Sequence, residues 1–275
     1  MTRGRALITG GARRLGAAMA LYLAGRGFDV AIHYANSAED AEAVAKAVED
    51  SGRRDPGGRD PGGRDPGVRA CTLRADLLHE AETQTLVARA AEALGGPLNV
   101  LVNNASIFEY DSLQSASRTG WDRHMESNLR APFVLTQNFA AQAPQTDRSG
   151  PEPLARALIV NMLDQRVLKP TPEFMTYTLA KMGLWALTRT AAQALAPQVR
   201  VNAIGPGPTL QGARQSAEHF ARQRAATILE RGADAEGICA ALGYFLDAPA
   251  VTGQLLCVDG GQHLGWKTPD VLGWE

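Results

Sequence analysis

Short apolar runs alternating with helix-length segments are the feature that most constrains how this chain folds. Strand-like runs are Arg5–Thr9, Phe28–Tyr34, Val68–Arg74, Leu98–Val102, Ala157–Asn161, Val199–Ile204 and a last one near Gln254–Val258. Between them lie helical patterns at Ala17–Gly25, about Ser37–Asp50, Glu80–Leu94, about Trp121–Gln142 and Tyr177–Leu195. Ser37 is placed as an N-cap, with Asp40 three residues on in the manner of a capping box. Strands separated by helices of this length make βαβ units and a parallel, doubly wound α/β sheet. Runs this short and this apolar suit strands covered on both faces by helices.

Two segments interrupt the rhythm. Residues 52–69 read GRRDPGGRDPGGRDPGVR, a five-residue repeat with three Pro and six Gly, which excludes a helix or a central strand. It is a surface loop, either an Arg-bearing lid over an anionic ligand or a solvated insertion grown by replication. Residues 143–156 link a helix to a strand. With the insertion set aside, residues 1–275 make a single dinucleotide-binding-sized domain rather than two.

Composition narrows the function classes. Lys and Arg number 28 against 29 Asp and Glu, which gives no basic excess for a nucleic-acid partner. The most apolar long stretch, Met182–Pro197, is interrupted by Arg189, and the amino-terminal residues lack the apolar core of a secretory signal, so no membrane partner is expected. Cys71, Cys239 and Cys257 are widely spaced without a CxxC pair, which argues against a disulfide framework and for a reducing, cytoplasmic setting. No clustered ligand set predicts a metal.

The turn Thr9-Gly10-Gly11-Ala12-Arg13-Arg14-Leu15-Gly16 closes the first strand and opens the first helix. Glycines there let a backbone approach a pyrophosphate whose charge sits at the helix N-terminus. At the end of the second strand stand His33, Tyr34, Ala35, Asn36 and Ser37, with no acid until Glu39. Asp29 lies at the strand's start instead. Donors at that corner, together with Arg14, suit a 2′-phosphate, so NADP(H) is the expected cofactor. The plainer alternative makes Asn36 and Ser37 turn and cap residues.

Tyr177 and Lys181 stand four residues apart, on one face of a helix. An ammonium beside a phenol favours the phenolate and lowers its pKa from about 10. That makes Tyr177 a candidate proton donor near neutral pH. YxxxK alone also occurs in ordinary helices.

Taken together, the turn at 9–16, Asn103-Asn104-Ala105, Asn128, Tyr177-x-x-x-Lys181 and Pro206-Gly207 resemble, in order and spacing, the short-chain dehydrogenases/reductases. The resemblance runs from about residue 5 to Gly261. It implies a Rossmann-type sheet, hydride transfer with a nicotinamide cofactor, a small-molecule substrate and a homotetramer. By matching position it implies that Gly10, Leu15 and Gly16 line the cofactor turn and that Asp76 and Leu77 flank the adenine. Asn104 and Ala105 would lie by the adenosine ribose, and Lys181 would bond the nicotinamide ribose. Asn128 would hold a proton-relay water, while Pro206, Gly207 and Thr209 would begin the nicotinamide-side loop.

Three departures refine the resemblance. Arg14 replaces a glycine of the turn, Ser106 replaces the glycine after Asn-Asn-Ala, and Asp164 replaces the serine thirteen residues before the tyrosine. With His33-Tyr34 and Gly205-Pro206-Gly207, they resemble the pteridine reductases. There the Arg reaches cofactor phosphates and pterin, and an aromatic two residues after Asn-Asn-Ala-Ser, here Phe108, stacks on the pterin. Reduction of a C=N bond needs a proton on nitrogen as hydride reaches carbon. Asp164 beside Tyr177 can hold that proton if burial raises its pKa. The candidate substrate residues are therefore Arg14, Ser106, Phe108 and Tyr177. Phe108 as core packing stays open, as does Asp164 as a damaged serine site. The segment from Pro208 to about 225 is expected to cover the substrate. A carbonyl or alcohol oxidoreductase and a nucleotide-binding regulator remain the alternatives to a pterin reductase.

Overall fold

The computed structural model describes residues 4–51, 67–212 and 215–267. Among the described residues are seven strands: β1 (Arg5–Ile8), β2 (Asp29–Tyr34), β3 (Ala70–Arg74), β4 (Val100–Asn103), β5 (Ala157–Met162), β6 (Val199–Pro206) and β7 (Leu255–Val258). They form one parallel sheet in the order β3-β2-β1-β4-β5-β6-β7, the doubly wound arrangement that the alternation predicts. The helices are α1 (Arg14–Gly25), α2 (Ala38–Ser51), α3 (Glu80–Ala93), α4 (Arg118–Met125), α5 (Ala131–Gln142), α6 (Met175–Leu195), α7 (Ala217–Ala225) and α8 (Ala235–Asp247).

Strand parity divides the core. Ala6 and Ile8 of β1 join Met19, Leu23, Val48, Leu242 and Phe245 on the face covered by α1, α2 and α8. Leu7 joins Leu86, Leu135, Phe139 and Ala191 on the face covered by α3, α5 and α6. Burial on both faces explains why these strands lack polar alternation. A polar chain also crosses this core. Asn103 donates to Asn161 (2.8 Å), its register partner, and Asn161 to Thr188 of α6 (2.9 Å), all three buried.

Three differences from the sequence expectations have local causes. The first helix starts at Arg14 rather than Ala17. The long helix expected at Trp121–Gln142 starts at Arg118, where Ser117 caps it by accepting from Gly120 N (3.0 Å), and a π-helical stretch, Glu126–Arg130, divides it. The crossover helix α8 was not among the expected elements. It carries its own signals, since Asp234 accepts from Gly237 N (2.7 Å) ahead of a buried Ile238, Cys239, Leu242 and Phe245.

The expected loop at 52–69 lies mostly outside the described residues, as do 213–214 of the expected covering segment. The described chain stops at Ser51, the end of α2, and resumes at Gly67, ahead of β3. Both points lie where strands begin, opposite the crevice at their carboxyl ends. On that edge Asp29 is buried and accepts from Arg69 N (2.9 Å) and its guanidinium (3.1 Å). No described helix is long and apolar enough to cross a membrane.

Candidate active site

The glycine turn occupies the point where strand order reverses, between β1 and β4, the usual crevice of open α/β sheets. Gly10 has φ +60, and a Cβ on Gly16 would lie 2.1 Å from the Gly10 carbonyl oxygen. Asn104 Nδ2 donates to Thr9 O (2.9 Å) and Gly10 O (3.1 Å), while Thr9 Oγ1 accepts from the amides of Asn104 (2.9 Å) and Ala105 (3.0 Å). Asn104 thus stitches the turn to β4. Helix α1 has no side-chain cap and no acid in its first turn, so its first amides and dipole suit an anion. Leu15 packs behind the turn against the core.

Arg14 takes φ +54, the left-handed region a glycine would occupy at a lower cost of about 1–2 kcal/mol. Its guanidinium donates to Leu210 O (3.0 Å) and Gln211 O (2.8 Å), linking the turn to the segment after Pro206 and Gly207. Gly207 is crowded, since a Cβ there would come within 2.6 Å of Asp259. Thr209, buried, donates to Gly207 O (3.1 Å).

At the adenosine end the structure rearranges the expectation. His33 is buried and both ring nitrogens are used, Nδ1 accepting from Gly10 N (3.0 Å) and Nε2 facing Ala75 O (3.0 Å). It braces the glycine turn from beneath rather than offering a donor to a phosphate. Burial lowers its pKa to about 4, which keeps the ring neutral. Tyr34 and Ser37 are half-buried and Asn36 is exposed. Arg13, which the sequence reading passed over for Arg14, reaches this corner and donates to Asp40 (2.6 Å) at the start of α2. Asp76 is half-buried and accepts from Leu78 N (3.0 Å), with Leu77 buried beside it.

The other half of the site forms around α6. Tyr177 donates its hydroxyl to Asp164 Oδ2 (3.0 Å), and Asp164 Oδ1 accepts from Arg166 N (2.9 Å) as the cap of a short 3-10 turn. Lys181, buried, donates to Met162 O (2.8 Å) at the end of β5 and sits 5.6 Å from the Tyr177 ring centroid. Desolvation raises the Asp164 pKa. The phenol contradicts its expectation. Burial first, then the Asp164 charge and hydrogen bond, push Tyr177 well above its ordinary value. The Lys181 ammonium is turned to the Met162 carbonyl, and desolvation brings it down to about 8.

Phe108, 44% exposed, stacks face to face on Phe174 (4.3 Å, 9°) and meets Tyr177 edge-on (4.7 Å, 73°). A flat aromatic wall therefore borders the Tyr177 ring, and Phe108 is not a core side chain. Phe174 escaped the sequence reading. It precedes α6 at φ +55, and no local pattern marks it. Ser106 is exposed at the start of this wall. Asn128 lies in the π-helical stretch, fully buried, with Oδ1 accepting from Ile107 N (2.9 Å) and Nδ2 donating to Ile107 O (2.8 Å). Its amide anchors the wall segment.

A doubly wound parallel sheet with a glycine turn at its switch point and a Tyr–Lys pair on the facing helix defines a nucleotide-binding α/β class. The sequence model of the family described as enoyl-(acyl carrier protein) reductase matches residues 10–263, and the chain belongs to the short-chain dehydrogenase/reductase family. The crystal structure of FolM alternative dihydrofolate reductase 1 from Brucella suis, in complex with NADP, is 41% identical, with 98% of each chain covered and a TM-score of 0.85. Pteridine reductase 1 of Leishmania tarentolae is 31% identical over 94% of this chain and 96% of its own. A 3-oxoacyl-[acyl-carrier-protein] reductase of Staphylococcus aureus is 28% identical over 94% and 98%.

Proposed function

We propose that this oxidoreductase reduces the ring of a dihydropterin at the expense of NADPH. The observation that carries the reading is the Asp164–Tyr177 acid pair beside the Phe108–Phe174 wall. A carbonyl reductase needs a neutral hydroxyl beside its tyrosine. A carboxyl with a raised pKa instead suits a flat ring that must gain a proton on nitrogen. The likeness to a pteridine reductase and to an alternative dihydrofolate reductase supports the same choice.

The residues present fit the dinucleotide. The cradle has no room for a Cβ at Gly16 and a left-handed backbone at Gly10, and the uncapped start of α1 suits a pyrophosphate. Arg13 with Tyr34, Asn36 and Ser37 would hold the 2′-phosphate, which would displace Asp40 from Arg13. Asp76 and Leu77 would flank the adenine, and Ala105, Ser106 and Lys181 the riboses. Pro206, Gly207 and Thr209 would shape the nicotinamide side. When bound, the nicotinamide supplies a hydride.

The chain's own groups supply the rest. Tyr177, kept a neutral phenol by burial, donates its proton to the ring nitrogen. Asp164, in its protonated form, replaces it by turning its carboxyl proton onto the phenolate oxygen, reversing the direction of the Tyr177–Asp164 hydrogen bond. Phe108 stacks on the ring, and Arg14 contributes its charge at the junction of turn and substrate.

The test follows NADPH consumption by purified protein with dihydrobiopterin, dihydromonapterin and a panel of aldehydes and ketones. Pterin turnover is the expected result. Turnover of carbonyls alone overturns the reading, and tight NADPH binding without any turnover favours a nucleotide-binding regulator.

A further inference from the structure

The wall segment after β4 belongs to no sheet, yet it is held residue by residue in a two-residue rhythm. Asn128 takes both backbone groups of Ile107. At Glu109 the backbone amide donates to His124 Nε2 (3.2 Å), and the carboxylate accepts from Arg123 (2.9 Å). Asp111, buried, accepts from Thr176 N (3.2 Å) and from the Thr176 hydroxyl, and its own carbonyl accepts from Phe174 N (2.8 Å). Residues two apart on an extended chain face the same way. The anchored positions 107, 109 and 111 therefore turn toward the helices, and Phe108 and Tyr110 project on the other side, where both meet Phe174. The α4–π–α5 helix and the start of α6 replace the neighbouring strand that this segment lacks.

His124 is the junction of the clamp. It is 1% exposed, its ring lies 6.1 Å from that of Tyr177, and its Nδ1 is 2.7 Å from Thr176 Oγ1. The Thr176 hydroxyl spends its proton on Asp111, so it accepts from His124 Nδ1–H. The other nitrogen, Nε2, is then left as the acceptor that the Glu109 amide requires. One tautomer satisfies every bond in the chain from Asp111 through Thr176 and His124 to Glu109. Thr176 is also the residue before Tyr177, so the clamp ties the wall to the helix turn that carries the phenol.

We infer that His124 is a positioning residue for substrate: through Nε2 it holds Glu109, and thereby sets Phe108 at its stacking distance from the Tyr177 side of the site. The inference rests on the pterin reading for the identity of the ring, though not for the clamp itself. His124 meets Tyr177 only ring to ring, at 6.1 Å, and makes no hydrogen bond to its hydroxyl, so its loss acts first on the wall.

Two substitutions separate this role from general packing. In His124→Asn the shorter amide reaches the Nδ1 position and keeps Thr176 but loses Glu109. In His124→Gln the longer amide reaches the Nε2 position and keeps Glu109. The KM for dihydropterin is expected to rise about tenfold in His124→Asn, the scale of one lost buried hydrogen bond. Its kcat and NADPH affinity stay within twofold, and His124→Gln stays within threefold of the parent in KM. Amide hydrogen exchange of a peptide spanning 106–111, measured on the whole protein, is expected to quicken about tenfold in His124→Asn and not in His124→Gln. Unchanged exchange in His124→Asn, or an equal rise in both variants, overturns the clamp. If the parent enzyme turns over no pterin, the proposed function fails while the exchange experiment still decides the role of His124.

Discussion

The two halves of the crevice are built by different means. On the cofactor side, shape comes from backbone: Gly16 pressed on the Gly10 carbonyl, and Thr9 and Asn104 sewing neighbouring strands together. On the substrate side, shape comes from side chains brought from far apart in sequence. Phe108, Asp164, Phe174 and Tyr177 meet there, held by His124, Asn128 and Asp111. A backbone-built half tolerates few residue types and serves one ligand. A half built from side chains can be refitted to a new ring without disturbing the sheet, which is how one fold hosts many substrates.

The sharpest way to separate the halves is Tyr177→Phe. Removing the proton donor lowers kcat about a thousandfold while NADPH affinity, measured by fluorescence titration, stays within twofold. A matching loss of NADPH affinity would mean that the halves are not separable.

A large effect on the cofactor side comes from pH. His33 titrates at about 4 in the folded chain and near 6.5 when unfolded, so the unfolded state takes up its proton first on acidification. Stability is complete above about 6.5 and declines toward pH 4 by about 3 kcal/mol, as denaturant titrations at several pH values will show. His33→Gln flattens that slope.

Gly16→Ala is the smaller steric test. A methyl 2.1 Å from the Gly10 oxygen forces the turn open, and NADPH affinity falls about 10- to 30-fold with little change in kcat at saturation. Smallest is Asp164→Asn, with kcat/KM for dihydropterin reduced about tenfold. The parent loses activity as pH rises through the raised Asp164 pKa, because the proton-holding form disappears. The variant lacks that alkaline limb.

Local rules made much of this readable. The strands, the glycine turn and the Tyr177–Lys181 spacing are short-range patterns, and the structure brings the last two to one crevice. Asp164 stood out only against the resemblance to a family. His33 was misjudged as a surface donor because its place at a strand end outweighed its parity. In a sheet covered on both faces a residue at that position is enclosed. Arg13 and Arg14 are adjacent and chemically equal, and with the backbone left-handed at Arg14 one reaches Asp40 and the other Leu210. Phe174, Asp111 and His124 carry no periodic signal, since their partners lie 52 to 66 residues away or across a loop.

The buried chain of Asn103, Asn161 and Thr188 has a bearing on assembly. Sliding β5 against β4 by one residue would move it about 3.3 Å and turn its side chains to the wrong faces. The amides of Asn103 and Asn161 would then meet hydrocarbon in place of each other, a costly mismatch. Asn104 follows one of these amides and Asp164 lies three residues past the other. A shift of that size exceeds the roughly 0.5 Å within which a catalytic constellation must be held. The paired amides therefore favour the alignment in which the two halves of the crevice meet.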